Sequence, residues 1–504
     1  MDFLWEVVLS FPIIFQPFNL LVTFLGVLVG IIFGAVPGIG APLAMTMFLP
    51  IAFGMNVIPC LLVMMALYCA AIYGGSISAI LINTPGTPAS IATAFDGYPM
   101  AKKGEAGIAL NTSVMSSMLG GLISAVVFIF FFKPMEVLSL EFGPSETFMV
   151  LFVSFVFLSL LNREEWEKGA IATCVGLLLG LVGRDLISGS LRYTFGYIFL
   201  EDGLDIIAVL TGWFAVTEVL FLIGEKGGTI AAQGVLKGSA LEGIKMCFKY
   251  PATFIRSAII GCIVGIIPGI GGSVSNVAAY SAAKGASKHP ELFGTGTPEG
   301  VVAPETANNA VTATSLIPTL ALGIPGSIPA AIILAALIML GYNPGPKLSS
   351  SDPGLIPAVG AGFVVINILF GVIGLSLTNF YKRLTQVNII ILIPLIISIS
   401  FLGGYLSRWR VSDIFFALIL GLFAYGARKA KYPVMPMVLG FLLAKMMEEN
   451  FFKSLLISDS GVLIFVTGPM NMVLAALGIL IICWHPLKKL LRHKTSSKDS
   501  ALPG

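Results

Sequence analysis

Read along its length, the chain alternates long apolar runs with short polar breaks. The apolar segments fall near 19–53, 57–82, 107–132, 146–161, 169–187, 203–223, 254–283, 307–341, 354–379, 387–402, 412–427, 432–445 and 461–484. Blocks of this kind match the roughly 17–25 apolar residues that a helix needs to cross a bilayer. Barrel strands would instead alternate apolar and polar positions over about 10 residues, so a transmembrane β-barrel is excluded. The pattern predicts an all-α polytopic membrane protein with roughly 11–13 hydrophobic segments that cross or re-enter the bilayer. Composition agrees: 57% of the 504 residues are hydrophobic and 11% are charged, against roughly 25% charged in an ordinary soluble domain.

The polar breaks "DGYPMAKKGEAG" (96–107), "NREEWEK" (162–168), 224–251 and 284–305 read as loops rich in Gly, Pro and charge. The start, "MDFLWEVVLS", is acidic and lacks the basic region of a cleavable signal peptide. Net charge is +3, and the basic end "HPLKKLLRHKTSSK" accounts for part of it. That tail reads as a cytoplasmic-face signal rather than a nucleic-acid patch. With the C-terminus cytoplasmic, "RKAK" (428–431) and "YKR" (381–383) fall inside and "MMEENFFKSLLISDS" outside.

One apolar stretch occurs twice. "GIIFGAVPGIG" (30–40) and "GCIVGIIPGIG" (261–271) agree at seven of eleven positions, 231 residues apart. Each copy is followed by a second interruption, "NTPGTP" (83–88) and "GIPGSIP" (323–329). The distance from the first Pro-Gly to the second is 48 residues in one half and 57 in the other. Two halves with two interrupted apolar segments each is the pattern of a duplicated transporter. Gly26, Gly30 and Gly34 form a GxxxG run that reads as a helix-packing face. The Pro37-Gly38-Ile39-Gly40 that follows is not needed for packing, and it reads as a functional helix break.

A break at membrane depth frees backbone N–H groups at one end and carbonyls at the other, and it survives only inside protein or beside a watery cavity. Freed N–H groups and the positive end of a half-helix attract an anion, while freed carbonyls suit a cation such as Na⁺. Glycine admits a ligand to the backbone, and proline fits the first turn of the resuming helix. Neutral hydrogen-bonding side chains gather around these breaks: Ser76, Ser78, Asn83, Thr84 and Thr87; then Ser273, Ser275 and Asn276; then Asn308, Asn309, Thr312 and Thr314. For a single Ser or Thr among them, bonding back to its own helix is the competing reading. Few charged residues lie near: Asp96, Lys284, Glu299 and Glu305, with Arg184–Asp185 elsewhere as a local interfacial pair. Glu305 and Lys284 are candidates for substrate or ion coupling, and Ser275, Asn276 and Asn308 join Glu305 in the expected ion-coupling set.

Enzymatic signatures are scarce. There is no HExxH, Walker lysine, CxxC or GxSxG, so no catalytic residue, metal site or resident cofactor is expected. His289, His485 and His493 have no ligand spacing, and the six cysteines read as small buried hydrophobes.

The motifs "GAVPGIG", "YGGSISAILINTPGTPASIATAFDGYPMAKKGEAGIAL", "GIIPGIGG", "PETANNAVTATSLIPTLALGIPGS" and "GYNPGP" resemble the large membrane subunit of the tripartite tricarboxylate transporters. The resemblance runs in order over most of the chain and is strongest over 20–135 and 255–350. It implies a bacterial inner-membrane permease that works with a small four-helix membrane subunit and a periplasmic solute-binding protein. It further implies import of citrate or other carboxylates, driven by a Na⁺ or proton gradient. Carried onto this sequence, the substrate region is Pro37, Gly38 and Gly40; Asn83, Thr84, Pro85, Gly86 and Thr87; Gly269, Gly271 and Ser273; and Gly323, Pro325, Gly326 and Ser327.

The expected layout is a first repeat at 15–135, connecting spans and a polar loop at 136–253, and a second repeat at 254–380 related to the first by inversion. C-terminal spans at 381–487 and a basic cytoplasmic tail at 488–504 complete it. An anion channel is the alternative; a membrane-embedded enzyme lacks a catalytic dyad, and a scaffold would not need duplicated breaks.

Overall fold

The computed structural model describes residues 2–37, 39–161, 165–185, 188–224, 240–268, 271–345, 348–381 and 389–481. The basic tail, Cys483, His485 and His493 lie outside them. Six helices among the described residues are long and apolar enough to cross a membrane. One further pair, Leu241–Lys249 with Pro251–Ile266, is bent by 81°, and five shorter apolar helices accompany them. The chain is an all-α polytopic membrane protein. Among the described residues the one sheet is a two-stranded hairpin, β1 (Gly183–Arg184) with β2 (Leu191–Arg192).

The chain forms two compact units. The first comprises Met1–Ser139 and Asp205–Tyr425, the second Leu140–Leu204 and Gly426–Gly504. Of the stretch 136–253, expected to hold connecting spans and a polar loop, 140–204 belongs to the second unit and the rest to the first.

The first unit begins with α1 (Asp2–Ile14), α2 (Pro17–Ala35), α3 (Gly40–Phe53) and α4 (Val57–Ile82), then α5 (Ile91–Lys102) and α6 (Ala106–Leu140). α4 is buried on all sides except at its ends, which suits a helix that is apolar all round. The glycine run of α2 packs on α4: a Cβ at Gly26 would lie 2.9 Å from the Ala66 Cβ, and one at Gly30 would lie 2.8 Å from the Ala70 Cβ. Small residues thus let the two backbones approach closely.

The second unit contains α7 (Pro144–Leu161), α8 (Trp166–Gly180) and the β1–β2 hairpin. The remainder of the first follows with α9 (Ile206–Leu210) and α10 (Thr217–Gly224), joined by a π-helical turn at Thr211–Val216, then α11 (Ala240–Lys249) and α12 (Pro251–Ile266). Next come α13 (Gly271–Ala286), α14 (Glu299–Thr314), α15 (Leu316–Leu322), α16 (Ile328–Met339), the one-turn α17 (Leu348–Ser351) and α18 (Leu355–Ser376). α19 (Ile389–Arg408) and α20 (Val411–Lys429) follow, and the second unit closes with α21 (Val434–Ile457) and α22 (Pro469–Ile481). In this later part the packing of small residues recurs. A Cβ at Gly261 of α12 would lie 2.6 Å from the Ala310 Cβ of α14.

Several stretches read as loops are helical, among them Ala240–Lys249, which forms α11 within 224–251. Asp96–Lys102 belongs to α5, Glu299–Glu305 opens α14, and 446–457 continues α21. Their charges are absorbed by partners: Asp96 by a ring of donors, Glu299 by Thr253 and Ser287, and Glu448 by Arg192 at 2.5 and 2.8 Å. Polar sequence marks a loop only when its charges have no such partners. Arg184 and Asp185, expected as a local pair, turn to different partners. Arg184 faces Glu201 at 3.7 Å, and Asp185 faces Arg192 at 3.1 Å.

Candidate functional site

Both halves of the first unit carry two helix breaks, built alike. α2 stops at Ala35 and Val36 turns extended; past Pro37 the chain resumes at Gly40, which holds φ 57° at the start of α3. α12 stops at Ile266, Ile267 turns extended, and α13 resumes at Gly271 with φ 67°. A left-handed start of this kind favours glycine over any residue with a Cβ. Gly38 and Gly269 lie outside the described residues.

The downstream breaks also correspond. α4 ends on Asn83 at φ 55°, and α15 ends on Gly323 at φ 74°. After Pro85 and Pro325 the chain passes Gly86 and Gly326 at very close quarters. A Cβ at Gly86 would collide with the Gly34 carbonyl and lie 2.8 Å from the Gly75 Cα; at Gly326 it would lie 2.6 Å from the Gly265 carbonyl and 3.0 Å from the Ser315 Cα. Thr87 then faces Gly40, and Ser327 faces Gly271. Ser327 caps α16 by accepting the Ala330 N–H at 3.2 Å, while Thr87 and Ser90 cap the short turn that leads into α5.

Side chains from each half reach the break of the other. The hydroxyl of Tyr68 (α4) lies 3.0 Å from that of Ser327 and 3.3 Å from that of Ser315. In return Asn308 (α14) donates to the Ala89 carbonyl at 3.1 Å, and Asn276 (α13) accepts the Ala92 N–H at 2.8 Å. Asn309 donates to the Cys69 carbonyl at 3.3 Å, and Ser275 ties α13 to the Ala307 carbonyl at 3.1 Å. These side chains are buried, yet the Asn276 Nδ2 and the Oδ1 atoms of Asn308 and Asn309 meet no hydrogen-bond partner. A buried amide atom left unsatisfied costs about 1–3 kcal/mol. One of the three is an N–H donor and two are carbonyl acceptors, so between them they can serve a polar group of either kind.

The expected site residues divide accordingly. Gly40, Gly86 and Thr87 come together in the first half and Gly271 with Ser327 in the second, where Gly326 packs on Gly265; Ser275, Asn276 and Asn308 bond around them, and Pro37, Pro85 and Pro325 lie in the breaks themselves. Asn83 is exposed and serves as a helix cap, Thr84 turns back to the Ile82 carbonyl, and Ser273 is half-buried. Thr312 and Thr314 bond to carbonyls of their own helix. Lys284 is exposed in the last turn of α13 and stands apart from the breaks. Tyr68 and Ser315 were missed by sequence reading, because a tyrosine in an apolar helix carries no periodic signal of its polar contact.

Glu305, one turn before the Asn308 and Asn309 amides on α14, sits in a cage of hydroxyls. Ser76 donates to its Oε1 at 2.5 Å, with Thr93 on the same oxygen; Ser113 and Ser117 donate to Oε2 at 2.9 and 2.8 Å. Ser113 and Ser117 are four residues apart on α6 and so share a face. That spacing was the available signal, with nothing in the sequence to aim it at residue 305.

Replacing Tyr68 by Phe keeps the ring and removes both hydroxyl contacts. Loss of about 1–2 kcal/mol of stability is expected, read as a lower thermal midpoint of the purified protein. An unchanged midpoint would show that the cross-half contact does not hold the second break.

The family model described as "Tripartite tricarboxylate transporter TctA family" matches residues 20–439. An uncharacterized 52.8 kDa protein in the TAR-I ttuC' 3'region of Agrobacterium vitis is 34% identical over 480 residues, 95% of each chain. An uncharacterized protein in the TAR-II ttuC' 3'region of the same organism is 33% identical over 222 residues, 44% of this chain and 92% of that one. No solved structure matches the chain.

Proposed function

The chain belongs to the tripartite tricarboxylate transporter TctA family, as its large membrane subunit, and on that premise we propose a binding-protein-dependent secondary transporter that imports carboxylates. This is a family of transporters, not of enzymes. The observation that carries the reading is the pair of alike backbone breaks in each half, with the incompletely satisfied buried amides of Asn276 and Asn308 reaching across to the Asn83–Ser90 break. Half-helix N-termini and the free Asn276 Nδ2 suit carboxylate oxygens, while the Oδ1 atoms of Asn308 and Asn309 can accept only from a hydroxyl or a protonated carboxyl of the acid. Citrate and related organic acids are the proposed substrates, and a Na⁺ or proton gradient is the proposed driving force. The two halves act as inverted repeats whose elevator or rocking movement exposes the breaks to either side in turn.

The proposed setting is the bacterial inner membrane with the C-terminus cytoplasmic. The proposed partners are a small four-helix membrane subunit and a periplasmic solute-binding protein that delivers the acid. Reconstitution of the chain with both partners in proteoliposomes tests this. Labelled citrate and shorter dicarboxylates are expected to accumulate under an imposed Na⁺ or pH gradient and to stop when both are collapsed. Uptake that persists without either gradient and requires ATP would overturn the reading.

A further inference from the structure

Glu305 lies in the second turn of α14 and is 0% exposed. Its four donors come from three helices of the first half: Ser76 on α4, Thr93 on α5, and Ser113 and Ser117 on α6. An ionised carboxylate offers about four lone-pair sites, so the hydroxyls saturate it. They do not cancel its charge. Among the described residues no Lys, Arg or His forms an ion pair with it, and a buried, uncompensated carboxylate is costly.

The remaining titratable and charged groups on the packed elements are engaged elsewhere or point away. Tyr73 of α4 is buried with its ring packed against Phe370 and Tyr381. Asp96 of α5 is held by Tyr280 of α13 and by loop N–H groups, and Lys133 and Glu136 of α6 pair with each other at 2.7 Å. Arg256 of α12 donates to the Ala282 carbonyl, Lys284 of α13 is exposed, and Cys247 of α11 contacts Ser116. What would neutralise Glu305 is therefore a small cation. Hydroxyls are suited to this, because each can donate to a carboxylate or turn a lone pair toward a proton or a hard cation.

The cage also touches the first-half break on both flanks. Ser76 follows Gly75, whose carbonyl accepts the Gly86 N–H at 3.0 Å. Thr93 follows Ala92, whose N–H donates to Asn276. Asn308, three residues beyond Glu305 and on the same side of α14, holds the Ala89 carbonyl. Ser76 and Thr93 are thus each one residue from a backbone group that holds an end of the Asn83–Ser90 break.

We propose that Glu305 and its four hydroxyls bind the coupling cation, a proton or Na⁺, and that its occupancy sets the geometry of the Asn83–Ser90 break. The coupling half of this statement rests on the reading of the chain as a gradient-driven carboxylate importer; the cation-binding half does not. With the cage empty the four hydroxyls point at the carboxylate. With a cation bound, two or more of them turn to it and relax their hold on the carboxylate.

Glu305→Gln, tested in the full chain with its partners, keeps the shape and removes the charge. Gradient-driven accumulation of citrate is expected to fall by more than about tenfold, while exchange of internal for external citrate stays within about twofold. The purified chain gives a readout independent of transport. For a proton, an infrared pH difference spectrum shows a buried carboxyl band that the variant lacks. For Na⁺, the thermal midpoint rises in NaCl but not in choline chloride, and the variant does not respond. Should Glu305→Gln not fold, the double variant Ser113→Ala, Ser117→Ala is expected to shift the half-saturating cation concentration about threefold or more. Accumulation by Glu305→Gln at the wild-type level, or a wild type with neither infrared band nor Na⁺ response, overturns the proposal. A wild type that neither accumulates nor exchanges a carboxylate sinks the transport reading instead, and the infrared and thermal measurements still decide the cage.

Discussion

Gly86→Ala is expected to abolish carboxylate uptake while the protein continues to reach the membrane in normal amount. A single added methyl at this position meets the Gly34 carbonyl and sits 2.8 Å from the Gly75 Cα. Both are backbone, so no side chain can swing away to admit it. Overpacking of this kind typically costs about 1–3 kcal/mol, and here it falls on the break itself. Gly326→Ala is expected to act in the same direction and less severely, since its nearest obstacle, the Gly265 carbonyl, lies 2.6 Å away. Insertion should be spared because Gly→Ala leaves the hydrophobicity that directs insertion essentially unchanged. Gly285→Ala is the control: a Cβ there meets nothing within 4 Å. Uptake and membrane abundance measured on the three variants check this, and normal uptake by both Gly86→Ala and Gly326→Ala would show that the breaks are not the site.

The second large effect is expected at Asp96. Its carboxylate accepts the N–H groups of Gly294, Gly296 and Thr297, at 2.8 to 3.1 Å, and the Tyr280 hydroxyl at 2.8 Å. It thereby fastens α5, which resumes just after the first-half break, to the loop ahead of α14. Asp96→Ala strands these donors. Gly294 is exposed, so water recovers part of the loss, and a destabilisation of roughly 2–4 kcal/mol is expected. The measurement is the thermal midpoint of the purified protein, with Asp96→Asn expected to fall between Asp96→Ala and wild type because it retains one acceptor oxygen. Equal midpoints for Asp96→Ala and wild type would show that the collar carries no load.

The broken helices were legible because they rest on local chemistry. Pro-Gly at 37 and 268, and again at 85 and 325, interrupts an apolar run whatever surrounds it, and the structure has helix ends at all four places. Family membership was legible for the same reason, since it is carried by long motifs around those breaks. Glu305 was visible as an isolated carboxylate in an apolar context, but its cage was not. Ser76, Thr93, Ser113 and Ser117 lie 188 to 229 residues from it along the chain, and no local pattern records such separations.

The errors have a common origin. Asp96, Glu299 and 446–457 looked like loop sequence because their charges are costly in an apolar setting unless partnered. Their partners, Tyr280, Thr253 with Ser287, and Arg192, come from distant segments. Lys284 looked like a coupling residue because few charged residues lie near the interrupted segments, whereas the last turn of α13 carries it to the surface.

By itself, then, the sequence determined the helical membrane class, the positions of the breaks and the neutral polar chemistry beside them. Block length, proline and glycine act within a few residues, and solvation by lipid leaves the backbone little choice. Only the tertiary structure decided which polar groups meet: Tyr68 with Ser327, Asn308 with Ala89, Glu305 with four hydroxyls. Those encounters depend on how apolar helices pack, and in a membrane protein close-fitting small residues such as Gly26, Gly30 and Gly261 settle that packing rather than any hydrophobic pattern.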